Sequence, residues 1–296
     1  MIMANETVGT GELAPKPNPV LQRIITVVPL LPLLIALLWW SVTSVAVLVL
    51  IASFICLAEV FSSMAERNLR PYVPFWYIFA GALIGAALQS PNSVAAMTPV
   101  IALGTVLSLC IAVLRTEDEQ PLYSWALSLA AMCYIPLLLS HLILLRTIDT
   151  PLHPAPLSAH VSSGFAWIVF TLATTWLADT FAFFTGRSYG KTPLAPRLSP
   201  KKTWEGSIGG FVGAILTAVG VATLFGLPIP LLTTIGLGAV AGILGPIGDL
   251  AESQIKRQLG VKDAGSILPG HGGMLDRIDS ILFMVPVMYY IITYAL

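Results

Sequence analysis

Long apolar runs alternate with short polar segments along most of the chain. A transmembrane helix needs roughly 17–25 apolar residues. Strands of a membrane barrel would instead give short segments of alternating polarity. Because lipid offers the backbone no hydrogen-bond partners, runs this long predict helices. We place nine of them, at 24–40, 42–61, 75–89, 94–114, 122–145, 165–184, 207–225, 231–250 and 278–296.

Composition supports a membrane class. Hydrophobic residues make up 56% of the 296 positions, charged residues only 10%, and the mean hydropathy is +0.85. These values lie outside the range of soluble domains. The sequence therefore predicts an all-α, polytopic integral membrane protein with nine transmembrane helices.

The lysines and arginines predict the orientation, because such residues avoid translocated loops. With nine spans and a cytoplasmic N-terminus, fourteen of the fifteen bases lie inside and Arg146 alone lies outside. A missed helix would invert every later loop, so we expect the N-terminus in the cytoplasm and the C-terminus outside. Three regions follow: a flexible cytoplasmic tail at 1–22, five helices at 23–146, and a four-helix catalytic part at 161–296 with cytoplasmic loops 186–206 and 251–277.

The first cytoplasmic loop, 186–206, is strongly basic. Its five bases against one acid would attract anions, although positive-inside topology and anionic headgroups explain the same excess. Thr203 is a possible N-cap, which would point the first amides of the next helix at a bound phosphate. The two explanations stay open at this point. The bases are Arg187, Lys191, Arg197, Lys201 and Lys202.

The second loop carries most of the polar chemistry. Asp249 and Glu252 share a helix face, and so do Asp276 and Asp279, because each pair is spaced i, i+3. Two acidic helix ends that meet would form a cage of oxygen ligands, which suits Mg²⁺. Glycines let backbone amides approach a phosphate and bases neutralise its charge. These are Gly272 and Gly273, with Lys256, Arg257, Lys262 and Arg277.

Simpler explanations exist for several of these residues. Acids in a first helical turn favour the helix dipole without any ligand. His271 could be a turn residue or could hydrogen-bond a phosphate. Glu59 is interpreted as a solvated helix end. Asp179 differs, because it lies within predicted span six, roughly 12 Å from Arg187 along the helix. An acid at that depth is costly in lipid, so we expect Asp179 to line the polar cavity, with a structural polar contact as the alternative.

Three segments carry a resemblance to a known family. They are 253–257 (SQIKR), 262–265 (KDAG) and 268–279 (LPGHGGMLDRID), and the segment 199–206 (SPKKTWEG) agrees with them. Together they resemble the signature of the phosphatidate cytidylyltransferases, also called CDP-diacylglycerol synthases. The likeness covers residues 161–296, and the first five spans agree in number and character.

The resemblance implies an integral membrane enzyme that converts CTP and phosphatidate into CDP-diacylglycerol and pyrophosphate. It also implies a homodimer and a cytoplasm-facing cavity that holds Mg²⁺ beside a monovalent cation such as K⁺. Carried over, the metal-site acids are Asp249, Asp276 and Asp279. We expect no nucleic-acid partner, and we expect the plasma membrane of a prokaryote as the location.

Our hypothesis for the site adds Lys256 to the three acids as the catalytic group. Catalysis by positioning and charge neutralisation is expected, because the lipid phosphate is already a nucleophile at neutral pH. A CTP-dependent lipid-alcohol kinase could use a similar site, and a membrane transporter is a further alternative. The expected substrate-binding residues are Asp179, Lys201, Lys202, Arg257, Lys262, His271, Gly272, Gly273 and Arg277.

Overall fold

The computed structural model describes residues 19–89, 91–115, 118–261, 265 and 273–294, with side chains from residue 29 onward. In these ranges each predicted apolar run falls on a helix. The long helices are α1 (Pro19–Trp40), α2 (Val42–Ala65), α3 (Val73–Ala87), α4 (Ser93–Leu114), α5 (Pro121–Arg146), α6 (Ser163–Tyr189), α7 (Trp204–Phe225), α8 (Leu231–Gln258) and α9 (Leu275–Tyr294). A 3₁₀ turn, Ser158–His160, precedes α6.

Six of these helices are long and apolar enough to cross a membrane: α2, α4, α5, α6, α7 and α8. Helix α3 has 15 residues, and α9 begins with three charged residues in its first five positions. The chain is thus a helical protein with several membrane helices. The count of nine spans and the direction of the termini stay predictions.

A small hairpin interrupts the helices between α6 and α7. Strands β1 (Pro193–Ala195) and β2 (Ser199–Thr203) pair antiparallel, with Pro193 opposite Thr203. The sequence did not predict it, because such short strands show no clear alternation of polarity. The predicted N-cap is confirmed: Thr203 Oγ1 accepts a hydrogen bond from the Gly206 amide at 3.2 Å. The hairpin therefore leads straight into α7.

Glycines let α6, α7, α8 and α9 pack closely. A Cβ on Gly210 of α7 would lie 2.9 Å from the Ala178 carbonyl oxygen of α6. A Cβ on Gly242 of α8 would lie 2.6 Å from the Cα of Phe211 in α7. Without a water-driven hydrophobic effect between them, membrane helices associate through such close contacts. The contacts bring the polar ends of these helices together.

The N-terminal helices surround this group on one side. The most apolar stretch of α5 is 61% buried, whereas that of α4 is only 17% buried, so α5 is central and α4 peripheral. Helix α5 contains a π-helical segment, Cys133–Leu137, around Pro136. Proline lacks an amide donor and disturbs the regular helical ladder. Helices α2 and α5 pack against each other, and α5 also packs against α9.

Candidate active site

A cavity of about 610 Å³ lies where the hairpin meets the ends of α6, α8 and α9. Its walls combine both signs of charge, which three helices and one strand supply. The combination suits a ligand with anionic groups and a bound cation. The charged residues that line the cavity are Asp179, Arg187, Lys201, Lys202, Asp249, Asp276, Arg277 and Asp279.

Three carboxylates approach one another at the inner wall. One oxygen from each of Asp249, Glu252 and Asp279 lies within 4.8 Å of the other two. Glu252 is 1% exposed, and its Oε1 atom has no hydrogen-bond partner in the described part of the chain. A buried carboxylate oxygen without a partner is costly, and a cation would remove that cost. The cluster therefore fits a hard cation that prefers oxygen ligands.

Asp276 lies beside this cluster, and its carboxylate contacts Lys256 and the Gly273 amide. Lys256 forms ion pairs with Asp276 and with Glu252, the latter at 2.8 Å. Asp276 Oδ2 accepts a hydrogen bond from the Gly273 amide at 3.0 Å. The structure thus places Lys256 between two acids, which share its single positive charge.

The basic wall contacts the acidic wall directly. Lys202 Nζ lies 2.5 Å from Asp249 Oδ2 and 3.5 Å from the Pro246 carbonyl oxygen. Lys201 is exposed to the cavity from the same strand. On the far side of the hairpin, Glu205 accepts hydrogen bonds from the amides of Lys191 and Thr192. These bonds tie the segment just before β1 to the start of α7, and β1 in turn pairs with β2, the strand that carries the two lysines.

The structure brings together most, but not all, of the residues that the sequence nominated. Arg257 is exposed in the last turn of α8, outside the residues that line the cavity. Gly273 is buried immediately before α9. Lys262, His271 and Gly272 lie outside the described residues.

The interpretation of Glu59 as a solvated helix end is wrong. Its side chain is 3% exposed, and its carboxylate accepts hydrogen bonds from the amides of Met274 (2.8 Å) and Leu275 (3.0 Å). The start of α9 covers this end of α2. One signal was present in the sequence: Glu59 is an acid within an apolar helix, where a charge is costly without a partner.

Comparison of the sequence with known proteins shows the family. The model of the cytidylyltransferase family matches residues 21–295. The chain belongs to the cytidylyltransferase family. A relative that matches along almost all of this chain is the phosphatidate cytidylyltransferase of Synechocystis sp., 31% identical over 293 residues, or 93% of this chain and 97% of the relative.

Other relatives are more similar to this chain, but over a shorter stretch. The phosphatidate cytidylyltransferase of Brucella abortus is 45% identical over 130 residues, 43% of this chain and 46% of the relative. That of Bacillus subtilis is 43% identical over 129 residues, 44% of this chain and 48% of the relative. In these two matches the chain spans just under half the length of the relative.

Proposed function

We propose that the chain is a phosphatidate cytidylyltransferase, which makes CDP-diacylglycerol and pyrophosphate from CTP and phosphatidate. The observation that carries the proposal is the single cavity in which a cluster of carboxylates faces several bases. A nucleoside triphosphate and a lipid phosphate are both anionic, so bases can bind their oxygens, and the carboxylates can hold a cation that neutralises further charge. The family and the names of the relatives support the same activity.

In the proposed reaction an oxygen of the lipid phosphate attacks the α-phosphorus of CTP. The bond from that phosphorus to the bridging oxygen breaks, and pyrophosphate leaves with the bonding electrons. The attacking phosphate is ionised at neutral pH, so no strong base is required. The protein must instead hold two anions in line and neutralise their charge. Arg187, Lys201 and Lys202 are placed to contact phosphate oxygens, because all three line the cavity.

The acidic wall would hold the divalent cation that we propose, Mg²⁺. Asp249, Glu252 and Asp279, whose oxygens approach one another, would supply its ligands. Asp276 would be the additional ligand that the resemblance implies. When bound, the cation would stabilise negative charge on the CTP phosphates and on the departing pyrophosphate. A monovalent cation such as K⁺ nearby is part of the proposal on the resemblance alone.

The proposed setting is a prokaryotic plasma membrane, with nine spans and the cavity on the cytoplasmic side. The distribution of bases supports this side, and CTP would reach the cavity from the cytoplasm while phosphatidate stays in the bilayer. The proposed assembly is a homodimer. The polar residues gather at one end of the helices, which supports an enzyme over a transporter with a site at the membrane midplane.

Isotope-labelled CTP tests the reaction. The purified protein in phosphatidate-containing micelles is given CTP labelled at the α- or the γ-phosphate, with and without Mg²⁺. We expect α-label in the lipid product, release of γ-label as pyrophosphate, and loss of both without Mg²⁺. Transfer of γ-label to a lipid alcohol would instead establish a kinase. No transfer of either label under any condition would refute the proposed function.

A further inference from the structure

Helix α2 and the turn that follows it lie outside the cavity, yet they contact both ends of the loop between α8 and α9, the helices that carry the acids of the site. Glu59, near the C-terminal end of α2, accepts hydrogen bonds from the amides of Met274 and Leu275, where α9 begins. The next residue, Asp276, and Asp279 one turn later both line the cavity. The position of the Glu59 carboxylate therefore bears directly on where two of the site's acids lie.

The second contact is at the other end of the same loop. Arg67, in the turn that follows α2, donates from Nε to the Leu259 carbonyl oxygen at 3.1 Å. Leu259 is the C-cap of α8, the helix that carries Asp249 and Glu252. Gly260 follows in the left-handed region, with φ 73°, and a Cβ there would collide with the Arg67 guanidinium. The guanidinium is thus seated against the end of α8.

The charges of both residues match the helix ends that they meet. The first amides of α9 carry partial positive charge, which the Glu59 carboxylate complements, and the last carbonyls of α8 carry partial negative charge, which Arg67 complements. Such interactions are strongest where water is scarce. Glu59 meets that condition, since its side chain is 3% exposed.

We propose that Glu59 of α2 and Arg67 of the turn that follows form a brace, which sets the distance between the acids of α8 and those of α9. Both are positioning residues, because they act on the site through the backbone at the end of α8 and at the start of α9. The proposal rests on the proposed function for its catalytic consequence. It also gives the N-terminal helices a task besides solvation and packing, which is to hold the cation-binding carboxylates at a fixed separation.

Three variants of the full-length protein test the brace. Glu59→Gln keeps the shape of the side chain but presents an amide NH₂ to one of the two backbone donors. Arg67→Gln removes the guanidinium at an exposed position, where folding is less at risk. Glu66→Gln is the matched control, because it makes the same chemical change at an exposed residue seven positions beyond Glu59.

Hydrogen–deuterium exchange tests the two contacts of the brace without any measurement of catalysis. We expect amides at residues 274–275 to exchange about tenfold faster in Glu59→Gln, since they lose charge-assisted bonds to the carboxylate. The amides at 260–261 donate to the carbonyls of Arg257 and Lys256, and we expect them to exchange faster in Arg67→Gln because the end of α8 loses its bond to the guanidinium. The Glu66→Gln protein should match the wild type. Wild-type exchange at both loop ends in both brace variants would overturn the proposal.

Kinetics test the catalytic consequence. We expect the loss of either contact to lower kcat, or to raise the half-saturating Mg²⁺ concentration, by about 10–100-fold with little change in KM for CTP, as for groups that orient metal ligands. A Glu59→Gln protein with faster exchange but wild-type kcat and Mg²⁺ dependence would overturn the positioning role. If the wild type itself transfers no cytidylyl group, the proposed function fails, and the exchange data alone decide whether the brace exists.

Discussion

Lys202 and Asp249 form an ion pair, with Nζ and Oδ2 2.5 Å apart, that joins strand β2 to helix α8 across the cavity. The pair joins a base that we propose to bind phosphate and an acid that we propose to bind a cation. When both ligands bind, each member can exchange its protein partner for a ligand of opposite charge. In this structure the pair neutralises one charge of the basic wall and one charge of the acidic wall.

Lys202→Gln should weaken CTP use. Without the lysine, a phosphate oxygen loses a charge-assisted hydrogen bond, which is worth about 1.5–3 kcal/mol, or roughly 10–100-fold in kcat/KM. The measurement is incorporation of α-labelled CTP into lipid over a range of CTP concentrations. Lys191→Gln is the control, because this exposed base lies in the same segment outside the residues that line the cavity. Equal losses in both variants would contradict a specific role for Lys202.

Asp276→Asn should abolish turnover in a folded protein. The change removes one negative charge from the cavity wall and one of the two ion pairs of Lys256. Loss of a metal-binding acid costs several kcal/mol of transition-state stabilisation, at least about 100-fold in kcat. Thermal unfolding and size-exclusion profiles monitor the fold beside the lipid-labelling assay. A folded variant with wild-type activity would remove Asp276 from the metal site.

Glu252→Gln distinguishes two roles for a residue that the predicted metal set omitted. If Glu252 binds the cation together with Asp249 and Asp279, the half-saturating Mg²⁺ concentration should rise, because one anionic ligand becomes neutral. We expect a rise of about 10–100-fold with a smaller change in KM for CTP. An unchanged Mg²⁺ dependence would mean that Glu252 serves to neutralise Lys256. Titration of activity with Mg²⁺ gives the answer.

The sequence could predict the helices because the bilayer imposes one solution on each long apolar run. It could also nominate Asp179, Asp249 and Asp279, since a charged side chain at or within a membrane helix is costly and is therefore a candidate for function. It could not say which acids approach one another. That choice depends on how α8 and α9 are rotated and how closely they pack, for example at Gly248, where a Cβ would lie 2.9 Å from the Asp279 carbonyl oxygen.

The sequence also could not predict hydrogen-bond partners that are far apart along the chain. The bond from the Met274 amide to Glu59 joins residues 215 positions apart, so no local spacing indicates it. The sequence shows only that Glu59 is near a helix end, which indicates a solvent-exposed side chain. The hairpin before α7 was not predictable for a different reason, because its strands of three and five residues are too short to show a clear alternation of polarity.

Gly210→Ala should destabilise the helix group that forms the cavity. The new Cβ would lie 2.9 Å from both the Ala178 carbonyl oxygen and the Ala182 Cβ of α6. The two helices would have to separate, at a cost of about 1–3 kcal/mol for overpacking. Gly220→Ala in the same helix is the matched control, because its Cβ would meet nothing within 4 Å. We expect a lower Tm in detergent and reduced activity for Gly210→Ala, with no loss for Gly220→Ala. Equal melting temperatures for the two variants would contradict the close approach of α6 and α7 at this position.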